Sequence, residues 1–171
     1  MKKKTSDKVR SSSSRHEHVS QVEVVIEIPR WSCLKRGSMG SLDFISPLPC
    51  PFNYGSVPQY VGLDGDLLDA VVLGPRLPRG TRLRVPAIGA IGLSERGMYD
   101  DKLICARRAV TDGERRYIVA FFHFYGFAKR ILNLSRHRPG GSHCWGWGDA
   151  GVAIARARVR DSSWRGPRVP F

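Results

Sequence analysis

Asp64-Gly65-Asp66-Leu67-Leu68-Asp69 sets three carboxylates within six residues. Like charges this close repel one another unless protons or a cation compensate them. Leu67 and Leu68 can anchor the loop on a core while the aspartates turn outward. Such a cluster of hard oxygens suits magnesium or manganese, which take a few carboxylates together with water and substrate phosphate. A calcium-binding EF-hand loop also begins D-x-D, but it needs glycine where Asp69 stands and glutamate where Pro75 stands. An acidic surface turn is the other reading of the hexapeptide alone. Downstream, Glu95, Asp100, Asp101 and Lys102 form a second charged cluster beside a predicted strand. Two acids and a lysine there can complete a multi-metal site, the lysine reaching a phosphate oxygen; a charged hairpin loop is the plain alternative.

Around these clusters the chain is patterned for short strands. Val22, Val24, Ile26 and Ile28 alternate with Glu23, Val25 and Glu27 up to Pro29, the period-two signature of a half-buried strand. Further strands are predicted over 68–73, 81–88, 90–93 and 103–107, separated by turns such as Gly74-Pro75 and Pro78-Arg79-Gly80. Short strands in close succession point to a small antiparallel barrel rather than to βαβ units. The clearest helix spans 116–134, where Ile118, Phe121, Phe122, Tyr125, Ala128, Ile131 and Leu132 make one broad apolar face. Residues 149–160 read two ways. Asp149 can cap a helix, yet Ala-Arg-Ala-Arg-Val-Arg alternates like a strand.

With 171 residues and 42% apolar content, one domain with a real core is expected over 21–171. Residues 1–20 are serine-rich and charged, and a disordered tail is expected there; His16 and His18 belong to it. The net charge of +13 is unevenly spread: +4 in residues 1–20, zero in 21–106 and +9 in 107–171. That asymmetry suits an anionic partner, a small phosphate ligand or nucleic acid, or simply a solvated arginine-rich surface. Cys33, Cys50, Cys105 and Cys144 show no CxxC spacing and read as reduced, partly buried thiols. No apolar run reaches membrane-spanning length and no secretory signal is visible, so a cytoplasmic location is expected. His123, His137 and His143 lack a partner at ligand spacing, and Trp145 and Trp147 read as core or interface.

The motifs together resemble one family, the soluble inorganic pyrophosphatases of the first structural type. Its D-G-D-P-x-D signature stands here at Asp64 to Asp69, with Leu67 for the usual proline. Upstream, Asn53-Tyr54-Gly55 matches the family's N-Y-G, and Glu27-Ile28-Pro29 followed by Lys35 is similar to its opening strand and phosphate-binding lysine. Glu95-x4-Asp100-x-Lys102 resembles D-x4-D-x-K, and Phe121-Phe122-His123-Phe124-Tyr125 resembles the helix motif F-F-x-x-Y-K. The resemblance runs from about Val22 to about Ala153 with five motifs in order. It implies a mainly β fold: a five-stranded OB-like barrel flanked by helices, with the active site at the barrel mouth. It implies that Asp64, Asp69 and Asp100 hold the tightest metal ion, magnesium or manganese, and that Asp69 bridges to a second. Asp66 would be the general base for the attacking water, Glu95 would share a further metal, and Glu27 would act through water near the metals. Lys35, Tyr54, Lys102 and Tyr125 would hold oxygens of inorganic pyrophosphate. It also implies a homo-oligomer, bacterial members being commonly hexamers and animal and fungal ones dimers.

Departures fall mostly on the phosphate-holding side. Gly37 stands where the family has a glutamate, Phe44 near its substrate-binding arginine, Cys50 at a tyrosine and Gly126 at a lysine. Arg30 or Arg36 are the candidates to fill such a gap. Three functions are therefore expected in order: a magnesium-dependent pyrophosphatase, a pyrophosphatase-like binder of phosphate compounds with little turnover, and a basic barrel binding nucleic acid through Arg156, Arg158, Arg160 and the tail.

Overall fold

The alternation read from Val22 onward becomes β1, Gln21–Ile28, in which Val22, Val24, Ile26 and Ile28 are buried and the residues between them are half-buried. The computed structural model describes residues 20–32, 34–36, 42–45, 49–95, 98–135 and 142–164. The expected tail, Ser20 apart, therefore lies outside the described residues, as do Cys33, Gly37 and His137. A short hairpin, β2 (Leu34–Arg36) and β3 (Leu42–Ile45), follows. Then come β4 (Asn53–Val61), β5 (Leu67–Val72), β6 (Arg82–Glu95), β7 (Met98–Tyr99) and β8 (Lys102–Cys105). Helix α1 (Asp112–Ser135), β9 (Ser142–Gly148), α2 (Ala150–Arg156) and β10 (Arg158–Val159) complete the order.

Five strands in the order β1-β4-β5-β8-β6 close into a barrel because β6 also pairs with β1. Closure removes the exposed edges that an open sheet of this size would leave. The expectation of an all-antiparallel barrel needs one correction. β5 and β8 run parallel, with Asp69 opposite Lys102 and Ala70 opposite Leu103, since the chain returns through the long antiparallel β6 before forming β8. The strands expected over 81–88 and 90–93 are a single strand, β6. Gly89 does not break it; a Cβ there would lie 2.3 Å from the Trp147 ring, so glycine admits the indole packed across the strand.

Side chains alternate across the barrel wall. One set, with Ile26, Val57, Leu68, Ala70, Val85 and Leu103, fills the interior, and α2 closes it with Ala150 and Ala153. The other set, with Tyr54, Val71, Ile91 and Ile104, faces outward under Ile118 and Phe122 of α1. Burying one such Leu, Ile or Phe contributes about 1.5–3 kcal/mol. The Asn53-Tyr54-Gly55 stretch, not read as a strand from its composition, opens β4. A Cβ at Gly55 would sit 2.0 Å from the Val25 carbonyl oxygen, so β1 and β4 can approach only with glycine there. Asn53 is fully buried and fully bonded. Its Oδ1 accepts from the Arg30 and Leu77 amides at 3.1 and 2.8 Å, and its Nδ2 donates to the Val72 and Pro75 carbonyls at 3.3 and 2.8 Å.

Helix α1 begins four residues before the expected 116 because Thr111 and Glu114 cap it reciprocally. The Glu114 amide donates to Thr111 Oγ1 at 3.2 Å and the Thr111 amide donates to Glu114 Oε2 at 3.0 Å. Both readings of 149–160 hold in succession: Asp149 caps α2 by accepting from the Val152 amide at 2.9 Å, and β10 then pairs with β4. Among the described residues no helix is long and apolar enough to cross a membrane. Cys50, Cys105 and Cys144 are free and buried.

Candidate active site

Register brings the motif residues together. Ser56 of β4 lies opposite Asp69 of β5, and Asp69 lies opposite Lys102 of β8. Directly paired residues point to the same side of a sheet, so Tyr54, Ser56, Asp69 and Lys102 project from one face. That face is the outer one, shared with Val71, Ile91 and Ile104. These side chains stand at the end of the barrel where β5 and β8 begin. The Lys102 ammonium, almost fully buried, forms ion pairs with both Asp69 and Asp100. It also lies 6.0 Å from the centre of the Tyr54 ring. Tyr125 of α1 stacks on Phe121 at 6.1 Å and is electrostatically coupled to Tyr54. Glu27 accepts a hydrogen bond from Ser56 Oγ at 2.7 Å, which places it one strand away from Asp69.

The acidic turn is organised by its own backbone. The Asp66 amide donates to Asp64 Oδ1 at 3.1 Å, the Leu67 amide to Asp66 Oδ1 at 2.8 Å, and the Gly62 amide to the Asp66 carbonyl at 2.8 Å. Gly65 adopts φ 88 in this turn, and its carbonyl accepts from the Trp164 indole at 3.1 Å. The Asp64 and Asp66 carboxyls are both half-buried, and Leu67 and Leu68 are buried as expected. An open cleft runs beside the turn, and Asp64, Asp69 and Asp100 are among the residues that line it.

Charge is crowded here. Burial, and after it the Asp100 carboxylate, raises the Asp64 carboxyl to about 6, against the opposing pull of Lys102. Burial and then the negative charges of Asp69 and Asp100 push the Tyr54 phenol well above its ordinary value, so it stays a donor, hydrogen-bonded to Asp69. Burial works against the Lys102 charge, but Asp100 and Asp69 outweigh it and hold the ammonium protonated. Among the described residues no three acidic, thiol or imidazole groups stand close enough to enclose an ion unaided. Two carboxylates do converge on one positive charge, and a third is raised in proton affinity beside them. That donor set fits a hard divalent cation that keeps several waters and takes its remaining oxygens from substrate.

Other expected site residues are placed only in part. Lys35 lies opposite Phe44 across the β2–β3 hairpin and Glu95 ends β6 opposite Ser142, but the side chains of Lys35, Phe44 and Glu95 lie outside the described residues. Cys50 is buried against the cluster under α1, and burial pushes its thiol up to about 11. Arg30 donates to the Gly74 carbonyl at 3.1 Å, beyond the far end of β5, and so stands apart from Asp69. Sequence reasoning did not assign roles to Ser56, Trp164 or the Asp101–Arg156 pair. Asp101 is buried and its Oδ2 lies 3.0 Å from Arg156 Nε. Reading 149–160 as a helix would have set Arg156 on the face of the buried Ala153, three residues earlier, without naming its partner. Of the arginine trio expected to meet nucleic acid, Arg156 thus pairs internally and Arg160 lies 5.7 Å over the Trp164 ring.

Comparison with known proteins bears on the family and the fold. A family model described as inorganic pyrophosphatase matches residues 24–120. The inorganic pyrophosphatase of Saccharolobus solfataricus is 35% identical over 164 residues, covering 82% of this chain and 88% of its own length. That of Haemophilus influenzae is 29% identical over 160 residues, covering 82% and 86%. The crystal structure of inorganic pyrophosphatase from Thermus thermophilus superposes with a TM-score of 0.65 at 26% identity, over 82% of this chain and 88% of that one. A closed five-stranded barrel with two helices, the motif order and these matches across most of the chain lead to one conclusion: the chain belongs to the inorganic pyrophosphatase family.

Proposed function

We propose that this protein hydrolyses inorganic pyrophosphate to two phosphates with magnesium, manganese being the alternative ion. The observation that carries the reading is the convergence of Asp69, in β5, and Asp100, just before β8, on one buried ammonium beside Asp64 and Tyr54. In this reading Asp64, Asp69 and Asp100 hold the principal ion, with Glu95 and Glu27 near a further one. A bound divalent cation supplies positive charge for the phosphate oxygens and lowers the pKa of its water. Asp66 takes the proton of the attacking water. Lys35, Tyr54, Lys102 and Tyr125 orient phosphate oxygens; Tyr54, held protonated by its buried site, does so as a hydrogen-bond donor. Lys102 carries a second task, offsetting the repulsion between Asp69 and Asp100.

Phosphate release from pyrophosphate, with and without magnesium, tests the proposal directly. Asp69→Asn is expected to lose most of the activity while keeping a cooperative thermal transition. Undiminished activity in that variant would sink the ligand assignment. A chain lacking residues 1–20, which we propose to be a dispensable tail before a single domain 21–171, is expected to keep the wild-type rate. Gly126 favours a second reading, a binder with weak turnover, because no cation stands at that family position. Tight binding of pyrophosphate without phosphate release would establish it. A cytoplasmic location and a homo-oligomeric state complete the proposal; fractionation of cells tests the first and light scattering the second.

A further inference from the structure

The cations expected to hold phosphate are reduced in number. Phe44 and Gly126 stand at two of the family's cationic positions, Lys102 is shared between two aspartates, and Arg30 is bonded beyond the far end of β5. Yet the cleft lined by Asp64, Asp69 and Asp100 is lined by an arginine as well. Arg156, in the last turn of α2, lines the same space. Two contacts fix its head group: Asp101 Oδ2 lies 3.0 Å from its Nε, and its guanidinium stacks 4.8 Å from the centre of the Tyr99 ring.

The arrangement differs from an ordinary ion pair. A guanidinium that serves only its carboxylate commonly presents two parallel N–H groups to it. Here it is the Nε edge that approaches Asp101, and the approach leaves Nε without a hydrogen-bond partner. The side chain is 36% exposed while that of Asp101 is 4% exposed, so the acid is the buried anchor and the arginine the accessible end. Asp101 Oδ1 likewise has no hydrogen-bond partner in its buried setting. A cleft lined by carboxylates and one pre-positioned planar fork matches a bound metal–diphosphate, whose oxygens need both kinds of group.

We infer that Arg156 binds a phosphate oxygen of the substrate diphosphate, replacing a family cation lost elsewhere, and that Asp101 and Tyr99 are its positioning residues. The inference rests on the pyrophosphatase reading for the identity of the substrate. Its test is arranged to fail separately. Affinity for methylenediphosphonate, a diphosphate that cannot be hydrolysed, is measured by calorimetry with magnesium present, alongside steady-state hydrolysis of pyrophosphate. Arg156→Ala is expected to weaken diphosphonate binding and raise KM by about tenfold to a hundredfold, the worth of one charge-assisted contact, with a smaller change in kcat. Added guanidinium is expected to recover part of the loss. Asp101→Asn is expected to shift KM the same way but less, and to add nothing in the Arg156→Ala background. Arg156→Lys serves if the alanine variant melts below assay temperature; it keeps the charge but loses the fork, and an intermediate affinity is expected. Diphosphonate affinity and KM within twofold of wild type in folded Arg156→Ala would overturn the inference while leaving pyrophosphatase activity standing. A wild type that binds diphosphonate through Arg156 but releases no phosphate would overturn the hydrolase reading and leave the arginine assignment intact.

Discussion

Gly126 is the residue at which this chain parts most simply from its family's cationic pattern, and space is not the obstacle. A Cβ added there would meet nothing within 4 Å. Gly126→Lys is therefore expected to be accommodated, and to stabilise α1 by about 0.5–1 kcal/mol because glycine is a poor interior helix residue. With the ammonium beside Tyr125, kcat/KM for pyrophosphate is expected to rise by up to about tenfold, and by more when Arg156 is also alanine. Steady-state kinetics in both backgrounds measure this; an unchanged or lowered kcat/KM in both would mean that no phosphate oxygen lies within reach of position 126. Cys50 offers no comparable repair. Its thiol is buried in the same cluster as Phe52 and Tyr54, and a tyrosine there would overfill the cluster at a cost of about 1–3 kcal/mol.

Among the elements, α1 owes its start to two side chains. Removing the cap with Thr111→Ala is expected to cost about 1 kcal/mol, or about 2–4 °C in Tm for a domain of this size. Hydrolysis at low temperature is expected to persist, since Thr111 is remote in sequence from Tyr125. A calorimetric scan with unchanged Tm would show that the cap carries no weight. The cap also explains why the helix expected from 116 starts earlier: the reciprocal bonds extend it back to Asp112. Strands with clean alternation, such as Val22 to Ile28, were legible because one face is buried along their length. β4 and β9 were not, because Asn53, Gly55, Pro58, Gly146 and Gly148 lower strand propensity while closure of the barrel and the packing of Trp147 demand extended chain. The carboxylates were legible from spacing alone. Arg156 was not, since its role depends on where α2 sets it in space.

At the scale of the whole molecule, an apolar stripe on α1 lies exposed among the described residues. Tyr117, Phe124, Phe127 and Ile131 are each more than half exposed and recur along α1 at spacings of seven, three and four residues. This is the seam by which helices pair. The net charge of +13 opposes self-association, so the stripe is where compensating apolar area is available. A homo-oligomer is expected by light scattering at moderate salt, and Phe127→Asp is expected to shift it toward the monomer; a monomeric wild type would end the proposal. The bond from the Trp164 indole to the Gly65 carbonyl spans 99 residues of sequence. At a ribosomal rate of about 5–20 residues per second, the acidic turn waits roughly 5–20 s for this clamp after its own synthesis. Asp64, Asp66 and Asp69 thus emerge long before the side chain that pins their turn, and a nascent chain carries its densest negative charge unclamped until translation has passed both α2 and β10.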